Sequence, residues 1–227
     1  MKDWAGWALD TAGARGASYA DVRVIDTRHR ALSTKNGKVG TLSESESLGL
    51  GIRVIAEGAW GFASTDQLTR AKIEETAARA VSIARASARV KKKDVVLAPE
   101  EKIQAFWQSP IDKDPFEISL DTMLALLFRA DEEMRRVRGV TLAEASMDFT
   151  RNEQLFASTL GSEIRQVRYL SGAGLVATSF AENEIQKRSY PNSFGGQHAL
   201  SGYELVERLQ LAENARRIAE EAVALHK

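Results

Sequence analysis

Residues 47–65, Ser-Leu-Gly-Leu-Gly-Ile-Arg-Val-Ile-Ala-Glu-Gly-Ala-Trp-Gly-Phe-Ala-Ser-Thr, constrain the fold more than any other part of the chain. Leu48, Leu50, Ile52 and Val54 alternate with Gly49, Gly51, Arg53 and Ile55. A period of two is that of a strand, here with one strongly apolar face and one that is nearly bare. Glu57-Gly58 supplies a turn, because glycine takes the positive φ of a tight hairpin without steric cost, and residues 59–63 return as the partner strand. Thr65 and Asp66 are expected to open a helix. The glycines pose a question that packing must answer: they cradle a ligand, admit a second backbone, or relieve crowding.

Around this hairpin the chain alternates between helical and extended patterns. Trp4, Trp7, Ala8 and Thr11 fall three and four apart, so residues 3–14 are expected to form a helix lying on a sheet, with Gly13 or Gly16 as its stop. Residues 19–26 and 29–34 read as two strands, and Asn36-Gly37 is a strong hairpin signal, since both central residues of a type I′ turn need positive φ. With residues 39–46 as a third strand, the hairpin above completes an antiparallel meander of five. Residues 66–90 are Ala-rich and helical, with Leu68, Ile73, Ala77, Ala80, Val81, Ala84 and Ala88 at helical spacing and small enough to lie close to a sheet. Arg89, Lys91, Lys92 and Lys93 complement the negative end of that helix dipole, a simpler reading of the basic cluster than nucleic-acid binding.

Residues 94–118 hold three of the four prolines and read as an extended connector pinned by Trp107 and Phe116. Leu120, Met123, Leu124, Leu127, Met134 and Val137 stripe a helix over residues 119–137, stopped by Gly139. Strands are expected again over residues 140–190, and a last helix over residues 202–225. The order helix, strands, helix therefore occurs twice. Thr27-Arg28 recurs as Thr150-Arg151 and Gly49-Leu50-Gly51 as Gly172-Ala173-Gly174, both 123 residues on (150 less 27, 172 less 49). An α+β fold follows, of antiparallel sheet flanked by helices in pseudo-duplicated units: a first over residues 1–93, a connector over 94–118 and a second over 119–227.

Composition removes much chemistry. Lys plus Arg and Asp plus Glu number 31 each, so the global field favours neither nucleic acid nor membrane. The absence of cysteine excludes disulfides and thiolate chemistry, and fits a reducing, cytoplasmic setting. No run approaches the ~20 apolar residues of a membrane helix, and the first ten residues lack the apolar core of a signal peptide. Gly49 and Gly51 lie inside a strand, not between a strand and a helix, which speaks against a dinucleotide cradle. His29, His198 and His226 are far apart and form no helical ligand pair, so neither a metal nor a catalytic residue is assigned. Ser43-Glu-Ser-Glu-Ser47 reads as a solvated strand edge. Trp60 and Phe62 share a strand face, where core packing and recognition of an apolar peptide side chain compete, and His198 sits in the flexible run Pro191-Asn-Ser-Phe-Gly-Gly-Gln-His198. Arg53, Trp60, Phe62 and His198 are the candidate peptide or subunit contacts.

Gly16-Ala-Ser-Tyr-Ala-Asp-Val-Arg23, the Asn36-Gly37 hairpin, Gly49-Leu-Gly-Ile-Arg-Val54 and Gly58-Ala-Trp-Gly-Phe-Ala-Ser-Thr65 together resemble the N-terminal domain of the TldD/PmbA family. The resemblance is strong over residues 16–90 and looser beyond, where Ser158-Thr-Leu-Gly161 departs from an Asn-Ser-x-Gly turn usual in the family. It implies a cytoplasmic zinc metallopeptidase acting in proteolysis or peptide maturation, first described as a modulator of DNA gyrase, and working as a homo- or hetero-oligomer of related subunits on a peptide substrate. It also implies zinc ligands in a C-terminal domain, in a His-Glu-x-x-x-His motif with a later cysteine. This sequence contains neither. The expectation is an N-terminal domain without its catalytic partner, a piece of a longer protein or a split gene product, inactive alone. The alternative is a stand-alone module that binds extended peptides along a sheet edge.

Overall fold

The computed structural model describes residues 1–226. Its elements are α1 (Lys2–Ala14), β1 (Tyr19–Lys35), β2 (Lys38–Ala56), β3 (Ala59–Thr65), α2 (Arg70–Ala88), β4 (Gln104–Gln108), α3 (Leu120–Arg135), β5 (Val140–Ser158), β6 (Glu163–Ala181), β7 (Glu184–Tyr190), β8 (Gln197–Ala199), α4 (Glu204–Leu209) and α5 (Leu211–Ala224). The strands form one sheet in the order β3-β2-β1-β5-β6-β4, with β7 and β8 also paired to β6. This is the expected α+β class, antiparallel apart from a parallel pairing of β4 with Glu163–Val167 of β6.

The five-strand meander is three strands. Residues 19–26 and 29–34 run on as β1, and residues 39–46 join 47–55 in β2. Thr27-Arg28 and the Ser/Glu run hold no glycine or proline, so nothing obliges the backbone to turn there. Asn36 (φ 48°) and Gly37 (φ 76°) do turn, as the type I′ reading requires. The turn is held by Asp131, fully buried, whose carboxylate accepts the Gly37 amide hydrogen at 2.9 Å. The expected connector contains β4, on which Phe106 and Trp107 are both exposed, so Trp107 does not pin it; Phe116 does pack against a core. The last helix breaks at Gln210, whose left-handed φ of 48° ends α4 and begins α5.

The chain forms two compact units. The first comprises Met1–Thr27, Glu46–Gln108 and Asn152–Val167. Its core joins Ala5, Ala8 and Ala12 of α1 to Ile73, Ala77, Ala80 and Ala84 of α2 and to Val22, Val24, Leu50, Ile52 and Val54 of the sheet. The buried face of α1 is thus its alanines. Trp4 and Trp7 pack only partly against the core, because the small side chains let α1 approach α2 more closely than indoles would. Helix α2 begins later than the sequence suggested: the Thr65 hydroxyl accepts from the Gln67 amide in a local turn, and Thr69 is the N-cap, accepting from the Lys72 amide. Beyond its far end Lys91 pairs with Asp94 at 2.8 Å and donates to the Glu57 carbonyl, so this lysine of the basic cluster ties the chain after α2 to the turn between β2 and β3. Gly61 is where α2 meets β3, since a Cβ there would stand 2.0 Å from the Ala80 carbonyl oxygen.

The second unit comprises Arg28–Ser45, Ser109–Arg151 and Arg168–Lys227 by its bounds. Its core gathers Met123, Leu127 and Met134 of α3, Met147 and Phe149 of β5, Leu175 of β6 and the inward residues of α4 and α5. Here α5 packs on α3 and β7, as α2 packs on α1 and β3 in the first unit.

The hairpins repeat down to register. Strands β2 and β6 have 19 residues each and β3 and β7 have 7 each. Leu50 opposes Thr65 and Leu175 opposes Tyr190, both 125 residues on (175 less 50, 190 less 65). The turns match too: Glu57 and Gly58 have φ of 52° and 73°, Glu182 and Asn183 have 51° and 67°. The glycine pairs do occupy corresponding strands, but the structural spacing of 125 exceeds the 123 of the sequence echo. Gly49 therefore corresponds to Gly174 (174 less 49), and Gly51 to Val176 (176 less 51).

Candidate functional site

On the face of β1–β3 turned away from α2, the alternation of the strands brings Tyr19, Asp21, Arg23 and Ile25 beside Gly49, Gly51 and Arg53, and these beside Trp60, Phe62 and Ser64. The bare glycines leave a groove of about 700 Å³, lined from Asp21 to Ile25 on β1, from Ser47 to Arg53 on β2 and from Phe62 to Asp66 at the end of β3. Gly49 would accept a Cβ with only the Thr65 carbonyl oxygen nearby, at 3.5 Å, and Gly51 would meet only the Phe62 ring, at 3.2 Å.

Asp21 organises the floor. It is 1 % exposed and accepts hydrogen bonds from Arg53 Nε at 2.9 Å and Nη2 at 2.7 Å on one oxygen, and from Arg23 Nη1 at 2.7 Å on the other. Two guanidiniums share one carboxylate, which leaves a local positive surplus on side chains that are 42 % and 43 % exposed. Arg53 stacks 4.6 Å over Trp60, Trp60 meets the edge of Tyr19 at 6.1 Å, and Arg23 lies 4.9 Å over Phe156. Burial pushes the Tyr19 phenol up to about 12, helped by the neighbouring Asp21 charge. For Arg53, burial favours the neutral form, but the Asp21 carboxylate outweighs it and holds the guanidinium above its ordinary value.

Three of the four sequence candidates, Arg53, Trp60 and Phe62, thus meet on one face, with Trp60 half-buried as a stacking platform and Phe62 58 % exposed beside the glycines. His198 lies in the second unit on β8, with Nε2 2.9 Å from Asp148 Oδ1. Its ring fills the space over Gly172, where a Cβ would stand 2.2 Å away, while the Gly195 carbonyl oxygen crosses Gly174 at 2.1 Å from a Cβ there. So in the second glycine pair Gly172 admits an imidazole and Gly174 another backbone, and the first pair lies open. Sequence reasoning passed over Asp21 and Arg23; their alternation with Ala20 and Val22 was the available signal that they share a face with Tyr19.

Among the described residues no group of three or more His, Asp or Glu side chains is placed to hold a metal ion, so the zinc that the family implies does not fit here. No helix among them is long and apolar enough to cross a membrane.

Residues 20–84 match the model described as PmbA/TldA metallopeptidase domain 1, and residues 113–225 the PmbA/TldA metallopeptidase central domain. A metalloprotease of Methanothermobacter thermautotrophicus is 26 % identical over 209 residues, covering 92 % of this chain and 43 % of that protein. A metalloprotease of Synechocystis is 26 % identical over 174 residues, covering 75 % of this chain and 36 % of that protein. The chain thus spans less than half the length of either relative. Among solved structures, a Thermotoga maritima protein described as a candidate modulator of a DNA gyrase shares the fold with a TM-score of 0.74 at 16 % identity, covering 98 % of this chain and 47 % of that one. TldE from Thermococcus kodakarensis does so with a TM-score of 0.66 at 14 % identity, covering 95 % and 45 %. With both domain models accounting for most of its length, the chain belongs to the PmbA/TldD metallopeptidase family, of which it carries the first and the central domain.

Proposed function

We propose that this chain is the non-catalytic part of a zinc metallopeptidase acting in proteolysis or peptide maturation, helping to enclose the peptide path and to assemble subunits. The observation that carries this reading is the match to the first and central metallopeptidase domains by a chain that spans less than half the length of its metalloprotease relatives. Hydrolysis then falls to a zinc-bound water outside the described residues, in a segment bearing His-Glu-x-x-x-His. Within the chain, residues 1–93 and 119–227 are read as successive helix-strands-helix units joined by 94–118. A related family subunit is the expected partner, in the cytoplasm, and the name of the Thermotoga protein makes a link to gyrase one to test.

Zinc content and peptide cleavage, measured on this chain alone and on a version continued by its downstream coding sequence, test the proposal. The longer protein is expected to bind zinc stoichiometrically and to cleave peptides until a chelator is added, and the short chain to do neither. Stoichiometric zinc or chelator-resistant cleavage in the short chain overturns it. The open groove favours a second reading, a stand-alone peptide-binding module, which gains if no His-Glu-x-x-x-His is encoded in frame or next to the gene.

A further inference from the structure

We infer that the groove over Gly49 and Gly51 receives an extended peptide, which adds a strand to β2 where β3 stops. The inference deepens the reading above by giving the peptide path a place on this chain. Among the described residues β2 has only β1 and β3 as neighbours, and β3 ends opposite Leu50. The β2 edge before that point lacks a strand on the β3 side. At the matching point of the other hairpin, 125 residues on, β8 fills the place: Ser171, Gly172 and Ala173 pair with Ala199, His198 and Gln197. Their counterparts are Glu46, Ser47 and Leu48 (171, 172 and 173, each less 125). The protein therefore already shows what this architecture accepts: a short strand, Gln197–Ala199, entered from a glycine turn whose Gly195 carbonyl crosses the counterpart of Gly49.

Side chains define the chemistry of the occupant. Leu48 and Phe62 offer apolar surface on the groove wall, exposed by 39 % and 58 %. Arg23 and Arg53 carry one positive charge more than Asp21 neutralises, whereas Asp66 lies four residues along from Phe62, the partner of Arg53. The complementary ligand is a peptide in strand conformation with a small residue over Gly49, an apolar side chain against Phe62 and an acidic one toward Arg53. Backbone pairing provides the attachment and the alternate side chains the selection.

The test uses the chain as it is, without zinc, and a fluorescein-labelled decapeptide of Leu, Gly and Ser with one Glu, followed by anisotropy. Saturable binding is expected. It should weaken tenfold or more when the peptide backbone is N-methylated at alternate positions, and by as much in Gly49→Val, which fills the groove floor. Phe62→Ala, at an exposed position that the fold does not need, should weaken it several-fold. Hydrogen exchange should slow at residues 46–49 when peptide is added. Absence of saturable binding overturns the inference, as does affinity indifferent to N-methylation and to Phe62→Ala, or protection at residues 171–174 instead. Concentration-dependent dimerisation abolished by Phe62→Ala, with no peptide binding, would assign the groove to a second copy and overturn it too. None of these readouts involves cleavage, so their failure leaves the peptidase assignment to be judged by zinc and activity.

Discussion

Replacing Asp21 by Asn removes the carboxylate that Arg23 and Arg53 share on the groove floor. Because both guanidiniums reach solvent, the cost is that of weakened charged hydrogen bonds and not of a stranded buried ion, about 1–3 kcal/mol by urea unfolding. The Tyr19 titration should fall from about 12 only part of the way, since burial is its larger cause and stays in place. An ultraviolet titration of wild type and Asp21→Asn checks both the size and the direction of that change. The alternation from Tyr19 to Arg23 made a strand legible, yet nothing local announced that Asp21 would be sealed. Its second arginine lies 32 residues away, and a contact of that span depends on strand register, which no short window of sequence encodes. Arg53, Trp60 and Phe62 were legible as a cluster because they sit on one hairpin.

At the scale of elements, the glycines separate into those that packing demands and those that it does not. Gly61→Ala would drive a methyl group into the backbone of α2 at Ala80, so it should destabilise by ~3 kcal/mol or force β3 away from the helix. Gly49→Ala meets only ordinary contact distance and should change stability by less than ~1 kcal/mol. Thermal unfolding of the two variants side by side distinguishes them. Helices and turns were well marked in the sequence, through Asn36-Gly37, Gly139 and the α3 stripe. Strand lengths were not, because a polar run such as residues 43–47 suits a strand edge and a loop equally well. Nor was the break at Gln210: α4 and α5 share one apolar periodicity, and a non-glycine residue in the left-handed region leaves no signature in composition.

For the molecule as a whole, stability against pH should form a plateau with two identifiable shoulders. Burial alone would raise the Glu204 pKa, but hydrogen bonds from the Ser201 hydroxyl and from the Gly202 and Lys113 amides hold it down to about 2. Its contribution is complete above the ordinary value of 4.5 and is lost as pH falls through about 2, because the unfolded chain takes up the proton first. Glu204→Gln should flatten that acid shoulder. On the alkaline side Tyr19, Tyr169 and Tyr203 are all raised, chiefly by burial, so the unfolded state loses protons first and stability declines as pH climbs above 10. Urea midpoints across the pH range measure both shoulders, and a midpoint independent of pH below 4.5 would count against the Glu204 network.

The segment that crosses Gly174 has a further consequence for valence. A molecule built from two like hairpins could take two ligands, but β8 and Gly195 already occupy one of the equivalent positions from within the chain. Among the described residues the equivalent position on β2 is the one that the inference above leaves to a peptide. An isothermal titration should therefore return a stoichiometry of one, and deleting the internal plug should raise it to two.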